Sequence, residues 1–313
     1  MPITFDLVVC ITSTALFDCS ESHKIWQTEG LDAYKAHQRE RIDAPLQPGV
    51  GFRLVHSLMQ LNQCSPNRQL VDVVLMSRND SGSGERIRNS LKHHKLGITR
   101  MSFTSGSDVT NYLVAFGCDL FLTTEPEQVH KILSTQTCDS FKGIAAGLVC
   151  NISIENTISS SWPRDQVRNV FDGDGVLFSD EAERVFRSHG LEAFRQFEQE
   201  KEHIALPEGP IHALALKLQK LRQGLGQDNS WRIRTFLVTA RDSTTNERAF
   251  KTLKKWGLEI DETHFLGGLD KTPFLISIDP AIFFDDSGEH ITRAQRFVPA
   301  AHILYGVLNT QSS

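Results

Sequence analysis

Two aspartates that lie two residues apart are the part of this sequence best suited to chemistry. Asp172 and Asp174 follow the short apolar segment 167–171, with Gly173 between them and Gly175 after them. Residues two apart at the end of a strand point the same way, so both carboxylates can face one small space. Two like charges this close are costly unless a cation or a shared proton lies between them. The glycines allow a sharp turn and present backbone N–H groups to an anion. The segment therefore predicts a site for a divalent metal and a phosphate.

Two other interpretations of the segment compete with that one. An Asp-x-Asp-Gly sequence alone is often only a surface loop. A calcium-binding loop is a sharper alternative, because Glu183 is the twelfth residue counted from Asp172. Such a loop needs Asp or Asn at its fifth position and Gly at its sixth. Val176 and Leu177 occupy those positions, which excludes the calcium loop.

Polar residues also follow three later segments, and these segments could end at the same edge of a sheet as the strand before Asp172. Thr239 and Ala240 follow an apolar strand, and this turn can offer a hydroxyl and backbone N–H groups to a phosphate. Lys271 can neutralise a phosphoryl group, although a lysine in a loop is usually a solvated residue. Asp285 and Asp286 directly follow the apolar strand 281–284, which fits a hard cation held by oxygen ligands. Because the carboxyl ends of strands form the ligand crevice of open α/β sheets, we expect all four strand ends to converge.

The elements that must position these residues alternate between strands and helices, which is typical of parallel βαβ units. Apolar strands are predicted at 5–11, 71–76, 98–103, 119–123, 167–171, 233–238 and 281–284. Helical patterns occupy 20–40, 49–61, 85–94, 127–133 and most of 181–225. The sequence thus predicts an α/β fold with a Rossmann-like parallel sheet.

The two halves of the chain resemble each other at an offset near 160 residues. The segment Gly30-Leu-Asp-Ala-Tyr34 matches Gly190-Leu-Glu-Ala-Phe194, and four further pairs of segments agree in order and spacing. This pattern indicates an internal duplication. The first copy lacks the charged set: Ile11, Ser13, Val109, Thr123 and Thr124 stand opposite Asp172, Asp174, Lys271, Asp285 and Asp286. We therefore predict a degenerate non-catalytic half (1–155), a linker (156–166) and a catalytic half (167–313) with a helical cap inserted at about 181–230.

Composition limits the class of partner. The 313 residues are 40% hydrophobic and 23% charged, with a net charge of −5 and mixed signs along the chain. This balance argues against a dedicated surface for a nucleic acid polymer or an anionic membrane. The N-terminal segment has no basic region before its apolar stretch and predicts no signal peptide. The six cysteines show no metal-ligand spacing, and several lie inside apolar strands, where we expect buried free thiols. The sequence predicts a cytoplasmic protein.

The ordered set of strand ends resembles the haloacid-dehalogenase-like (HAD-like) phosphohydrolase superfamily. Longer segments are similar to the cytosolic 5′-nucleotidase type I family: Phe171-Asp-Gly-Asp-Gly-Val-Leu-Phe-Ser-Asp-Glu181, Thr235-Phe-Leu-Val-Thr-Ala-Arg241, Lys251-Thr-Leu-Lys-Lys-Trp-Gly-Leu-Glu259, Phe283-Phe-Asp-Asp286, and in the first half Ala15-Leu-Phe-Asp18 and Val73-Val-Leu-Met-Ser77. This resemblance extends from Phe5 to about Val307. It implies a HAD-type parallel sheet with a small helical cap, preceded by a degenerate copy of the same half.

The resemblance also implies a role for each site residue. Asp172 would attack phosphorus to give an aspartyl-phosphate, and Asp174 would protonate the leaving 5′-oxygen and later deprotonate water. Thr239, Ala240, Lys271 and Gly175 would hold the phosphate. The metal, Mg²⁺, would be bound by Asp172, Asp286 and the backbone carbonyl of Asp174, with Asp285 supporting them. A nucleoside monophosphate, AMP first, would be the substrate, and the resemblance implies a nucleotide effector and a homo-oligomer.

Three questions stay open at this point. The substrate could be another small phosphoester, such as a sugar phosphate. The protein could instead sense nucleotides and carry vestigial catalysis, although the second half has every catalytic position filled. The residues that would contact a base are not assigned: Phe178, Phe186 and Phe194 are candidates, but a place in the core is the more common role for such residues.

Overall fold

The computed structural model describes residues 4–80, 82, 84–134, 141–150, 165–242 and 245–309. Most of the predicted linker (156–166) lies outside the described residues, and so does Cys138. The other five cysteines are free thiols: Cys10 and Cys118 are buried, Cys19 and Cys64 are half-buried, and Cys150 is exposed. The expectation of buried free thiols inside apolar strands holds for Cys10, which lies in the strand predicted at 5–11. No helix in the described part of the chain is both long and apolar enough to cross a membrane.

Ten strands form one sheet in the order β10-β9-β8-β11-β12-β7-β6-β1-β4-β5. Their bounds are β1 Leu7–Thr12, β4 Val71–Ser77, β5 Arg100–Phe103, β6 Leu120–Thr123, β7 Ala145–Val149, β8 Val167–Phe171, β9 Ile233–Thr239, β10 Glu262–Phe265, β11 Ile282–Asp285 and β12 Ala300–His302. Every neighbouring pair is parallel except β7 and β12, which are antiparallel. A separate two-stranded sheet joins β2 (Phe17–Asp18) and β3 (Gln47–Pro48).

The sheet consists of two five-stranded groups with the same strand order. The first group runs β5-β4-β1-β6-β7 and the second runs β10-β9-β8-β11-β12. They join where β7 pairs with β12 through Ala301 opposite Val149 and His302 opposite Leu148. The two halves of the chain therefore form one continuous sheet.

In the part of the chain that the structure describes, twelve α-helices flank or follow these strands. Their bounds are α1 Ser13–Leu16, α2 Ser20–Glu29, α3 Leu31–Glu40, α4 Phe52–Gln60, α5 Glu85–His93, α6 Leu113–Phe116, α7 Pro126–Ser134, α8 Glu181–Glu200, α9 His212–Gly224, α10 Glu247–Trp256, α11 Thr272–Ile278 and α12 Gly288–Ala294. Strands β1, β4 and β8 are buried along their whole length, because helices cover both faces of a parallel sheet. Their near-continuous apolar sequences follow from that burial.

Helices α4 and α9 each reach across to the other half. The α4 helix packs on β4 of its own half and on β8, while α9 packs on β9 of its own half and on β1. Arg53 of α4 also donates hydrogen bonds to the carboxylate (2.9 Å) and the carbonyl (3.1 Å) of Asp279. One hydrophobic cluster accordingly contains buried residues of both halves.

Helix α8 changes direction at Gly190. This residue has φ 81° and ψ −178°, a conformation that favours glycine and interrupts the helix. Gly30, which separates α2 from α3, has almost the same angles, φ 87° and ψ −173°. The two glycines occupy matched positions in the sequence repeat, and both interrupt a helical region in the same way.

Strand register corrects one part of the sequence comparison between the halves. Ile11 pairs with Leu75 and Leu122 in the first half, as Phe171 pairs with Leu237 and Phe284 in the second. Thr12, rather than the predicted Ile11, therefore stands at the position of Asp172. By the same count Thr14, rather than Ser13, stands at the position of Asp174. The second half has one additional residue just after this point, at Gly175.

Candidate active site

The carboxyl ends of β8, β9 and β11 lie side by side because β8 is paired with both of the other strands. Asp172 follows β8, Thr239 ends β9, and Asp285 ends β11. Lys271 lies at the start of α11, after β10. The side chains of Asp172, Lys271 and Asp285 are in direct contact, which confirms that these strand ends converge.

Lys271 links two buried carboxylates. Its Nζ lies 2.8 Å from Oδ1 of Asp172 and 2.7 Å from Oδ2 of Asp285, and the three residues are 1%, 7% and 0% exposed. An isolated ammonium buried to this degree would lose its proton. Burial lowers the pKa of Lys271, but Asp172 and Asp285 outweigh it, so the net shift is upward. The lysine is therefore a fixed positive charge in the site and not a solvated surface residue.

The two carboxylates on Lys271 have pKa values that move in opposite directions. Burial raises the pKa of Asp172 to about 6, against the opposing effect of Lys271. For Asp285, burial acts in the same upward direction, but Lys271 and His290 overcome it and the pKa is lowered. The surroundings therefore stabilise the negative charge of Asp285 and destabilise that of Asp172.

Asp286 is a buried carboxylate that has no side-chain hydrogen bond or ion pair among the described residues. It is 3% exposed, and burial raises its pKa to about 9, with the charges of Asp172 and Asp285 acting in the same direction. Its backbone carbonyl accepts hydrogen bonds from His302 (2.9 Å) and Asn309 (2.8 Å), which fix the main chain there. A buried acid that has no ion-pair partner of its own and lies beside two further acids is the arrangement that a divalent cation would stabilise.

Ligand atoms of Asp172, Asp285 and His290 all lie within 4.8 Å of one another. The Nδ1 atom of His290 is 3.1 Å from Oδ2 of Asp285. Two of the predicted oxygen ligands, Asp172 and Asp285, are thus brought together with His290, whereas the third, Asp286, is not in this group. The side chain of Asp174 is not part of this group either.

Gly175 lies where the loop after β8 passes Asp286. It has φ 75°, and a Cβ added to it would be 2.1 Å from Oδ2 of Asp286. Both its left-handed conformation and its lack of a side chain are therefore required here.

Replacing Gly175 with Ala is expected to lower activity by roughly 10²-fold or more, because the new methyl group displaces Asp286. Gly257→Ala is the matched control: Gly257 has φ 64°, and nothing lies within 4 Å of an added Cβ. It should cost about 1–2 kcal/mol of stability and leave turnover unchanged. Phosphate release and thermal unfolding of both variants check this. Equal activity losses in the two variants would contradict the close approach.

Thr239 and Ala240 occupy the turn that was predicted to hold a phosphate. Thr239 is 2% exposed, and its Oγ1 lies 3.1 Å from the position that a Cβ on Gly173 would take. That hydroxyl also accepts a hydrogen bond of 3.3 Å from the backbone N–H of Arg241. The hydroxyl of Thr239 therefore faces the loop that carries both aspartates, and Ala240 follows it at an exposed bend.

Asp174 is held by an arginine that the sequence interpretation did not assign. The Nε and Nη2 atoms of Arg241 donate to Oδ2 and Oδ1 of Asp174, both at 2.7 Å. Arg241 and His290 are the two residues at this site that were missed. Arg241 lies two residues beyond Thr239, and His290 lies five residues beyond Asp285, so each follows a strand end that had been recognised.

The corresponding place in the first half carries hydroxyls instead of carboxylates. Thr14 Oγ1 lies 3.2 Å from Oγ1 of Thr12 and 2.7 Å from Oγ1 of Thr124, and these three stand at the positions of Asp174, Asp172 and Asp286. Neutral hydroxyls that hydrogen-bond to one another need no cation between them. The first half has no charged residue at these three positions.

A cavity of about 590 Å³ lies beside α8. Its lining combines two aromatic rings with three charged side chains and small groups: Phe197, Tyr305, Glu181, Arg184, Glu208, Ser179, Val185 and Pro207. None of the three phenylalanines considered for base contact lines it. Phe178 and Phe194 are buried, as a core role predicts, whereas Phe186 is 43% exposed.

The chain belongs to the 5′-nucleotidase family, whose profile matches residues 1–310. Human (Homo sapiens) cytosolic 5′-nucleotidase 1B is 36% identical over 299 residues. That match covers 93% of this chain and 47% of the human protein, so the chain spans about half the length of this curated relative. A solved structure of histidinol dehydrogenase from Elizabethkingia anophelis covers 79% of this chain and 48% of its own, with a TM-score of 0.24 and 9% identity. That similarity is too low to bear on fold or activity.

Proposed function

We propose that this chain is a Mg²⁺-dependent 5′-nucleotidase that hydrolyses nucleoside 5′-monophosphates, AMP foremost, to a nucleoside and phosphate. The observation that carries the proposal is the contact of Lys271 with Asp172 and Asp285 beside the unpaired Asp286, at the carboxyl ends of adjacent strands. Family membership and the name of the human relative support the nucleotide as substrate.

Each residue of the site has a role in a two-step hydrolysis. An oxygen of Asp172 attacks phosphorus while Asp174 gives a proton to the 5′-oxygen as the phosphorus–oxygen bond breaks. Asp174 then takes a proton from the water that hydrolyses the aspartyl-phosphate. Lys271 fixes the orientation of Asp172 through its 2.8 Å contact and offsets negative charge at the phosphoryl group. The Thr239 hydroxyl and the backbone of Ala240 and Gly175 add hydrogen-bond donors for the phosphate.

The residues present fit a hard divalent cation. Asp172, Asp286 and the backbone carbonyl of Asp174 would hold it, and Asp285 would support them. Such a cation would offset the charge that accumulates on the phosphoryl oxygens. The unpaired and buried state of Asp286 favours this assignment. Lys271 already pairs with Asp172 and Asp285, so the charge of Asp286 needs a further cation.

We also propose that the chain contains two copies of one HAD-like half. Residues 1–155 would be the degenerate copy, 156–166 the linker, and 167–313 the catalytic copy with its insert at about 181–230. Matched hydrogen bonds support this: Arg86 donates to Gln38 (3.4 Å) in the first half, and Arg248 donates to Glu198 (2.8 Å) in the second. The nucleotide effector, the homo-oligomer and the cytoplasmic location stay predictions of the sequence.

Phosphate release from a panel of substrates tests the proposed function. The panel contains nucleoside and deoxynucleoside monophosphates and simple sugar phosphates, each assayed with Mg²⁺ and with a chelator. We expect release to be fastest on AMP and to fall by about 10²-fold or more in the chelator, because the cation offsets phosphoryl charge. Faster release from sugar phosphates would contradict the assignment of a nucleotide as substrate and would leave the proposed reaction intact. A folded protein with Mg²⁺ that releases nothing would point to nucleotide sensing instead.

A further inference from the structure

The side chain of Arg241 connects Asp174 to the helical insert. Arg241 is 4% exposed, and its guanidinium contacts Asp174 on one side and Glu198 of α8 on the other. Its Nη1 also donates to the carbonyl of Thr245 at 2.9 Å. Glu198, 3% exposed, accepts a second hydrogen bond of 2.8 Å from Arg248. Three charged side chains are thus buried in one chain of contacts that ends on Asp174.

The contact between Arg241 and Asp174 fixes the plane of the carboxylate. Two parallel N–H···O bonds of 2.7 Å join the guanidinium to both oxygens of Asp174. This bidentate contact restricts the orientation of the carboxylate more than a single hydrogen bond would. A carboxylate has about four lone-pair sites, and this arrangement uses one on each oxygen. One site on each oxygen therefore stays free of Arg241. Arg241 therefore leaves Asp174 able to act while restricting where it points.

The first half of the chain provides an internal comparison. Arg86 corresponds to Arg248, and its Nε donates to the carbonyl of Ala44 (3.0 Å) as that of Arg248 donates to the carbonyl of Ile204 (2.8 Å). This buried arginine is therefore present in both halves and serves the fold.

The other members of the set lose their charge in the first half. At the positions of Asp174, Arg241 and Glu198 the first half has Thr14, Asn79 and Gln38. Asn79 accepts a hydrogen bond of 2.9 Å from Tyr34 and is not charged. The fold can thus be built without an arginine at this position. The charges of Arg241 and Glu198 are present only in the half that has the acids.

We propose that Arg241, held in place by Glu198 of the insert, is a positioning residue that orients the carboxylate of Asp174 toward the 5′-oxygen of the departing nucleoside. This inference rests on the proposed function, because it gives Asp174 the role of proton donor. In the first step the bond from Asp172 to phosphorus forms, the bond from phosphorus to the 5′-oxygen breaks, and the proton of Asp174 moves to that oxygen.

Dependence on the leaving group distinguishes orientation of Asp174 from a purely structural role. The 5′-oxygen of AMP is a poor leaving group and needs a proton, whereas p-nitrophenolate and acetate leave without one. In Arg241→Gln, kcat/KM for AMP should fall about 10²-fold, within the range of general acid catalysis. For p-nitrophenyl phosphate or acetyl phosphate, kcat/KM should change by less than about threefold, because the leaving group needs no proton and kcat/KM does not include the later hydrolysis in which Asp174 acts as a base.

Three further variants make the test decisive. Arg248→Gln is the matched control, because Arg248 is equally buried and shares Glu198 but does not contact Asp174. It should lower stability and leave the ratio of the two kcat/KM values unchanged. Glu198→Gln should lower kcat/KM for AMP selectively by about tenfold, since Glu198 reaches Asp174 only through Arg241. If Arg241→Gln does not fold, Arg241→Lys keeps the charge, loses the bidentate contact, and should show a selective loss of about tenfold.

Asp174→Asn provides the reference. A selective loss on AMP in Asp174→Asn together with equal losses on both substrates in the Arg241 variants would overturn the positioning role and leave the proposed function intact. If Asp174→Asn itself shows no selective loss, the proton-donor assignment of the proposed function is wrong. A selective loss in Asp174→Asn, Arg241→Gln and Glu198→Gln, but not in Arg248→Gln, is the result that the geometry predicts.

Discussion

Asp172→Asn is expected to reduce phosphate release from AMP by about 10⁴-fold or more, because the amide oxygen cannot form the covalent intermediate. The variant should remain folded. Burial raises the pKa of Asp172 to about 6, so the stability of the folded state falls as the pH rises from the ordinary value of an aspartate to about 6. Above that pH the wild-type protein buries an ionised carboxylate, which lowers its free energy of unfolding. A neutral Asn at this position does not have that effect. Initial rates and thermal unfolding at neutral pH, without metal, check both statements.

Asp72→Asn is the control for this variant. Asp72 is a buried carboxylate of β4 that is paired with Arg100, at the far end of the first half from the candidate site. Its replacement should lower stability and leave kcat unchanged. Retention of more than about a tenth of the wild-type rate by Asp172→Asn would exclude Asp172 as the nucleophile, because a required nucleophile contributes far more than tenfold.

Lys271→Met is expected to have the largest effect on stability. It removes the cation from between Asp172 and Asp285, and breaking a buried ion pair from one side typically costs about 3–5 kcal/mol. Activity should also fall by roughly 10²-fold or more, because Lys271 orients Asp172 and offsets phosphoryl charge. Denaturant unfolding gives the free energy of unfolding, and phosphate release with Mg²⁺ gives the rate.

Lys254→Met is the matched control, since Lys254 is exposed on α10. Its replacement should change stability by no more than about 0.5 kcal/mol, as is usual for exposed positions. Two results would contradict the account of Lys271: an unfolding free energy equal to that of Lys254→Met, or unchanged turnover. The first would mean that the two carboxylates do not depend on the lysine, and the second that the lysine does not serve the reaction.

The sequence was sufficient to place the parts of the site that follow buried strands. An apolar segment that ends in acids, such as the one before Asp285 and Asp286, can be recognised because burial and charge change abruptly within two residues. The repeat further predicted that two similar groups of strands exist. Spacing and side-chain type therefore gave the α/β class and the residues Asp172, Lys271 and Asp285 that the structure brings into contact.

Three features depend on contacts between residues that are distant in sequence. The single sheet arises because the edge strands β7 and β12 pair antiparallel, and no local pattern encodes that pairing. Arg241 was visible at the end of β9, but its partner Glu198 lies in an insert whose packing the sequence does not specify. The first-half counterparts of Asp172 and Asp174 shift by one residue, because a sequence comparison without strand register does not place the additional Gly175 of the second half.

The most direct test of the central claim is to look for a phosphoryl group on Asp172 during turnover. The wild-type protein is mixed with AMP that carries a radioactive phosphate, quenched rapidly in acid and digested, and the labelled peptide is identified by mass spectrometry. The account predicts an acid-stable, base-labile label on the peptide that contains Asp172, absent from Asp172→Asn and from a reaction started with adenosine and phosphate in chelator. Steady release of phosphate from AMP with no label on any peptide at any quench time would contradict it.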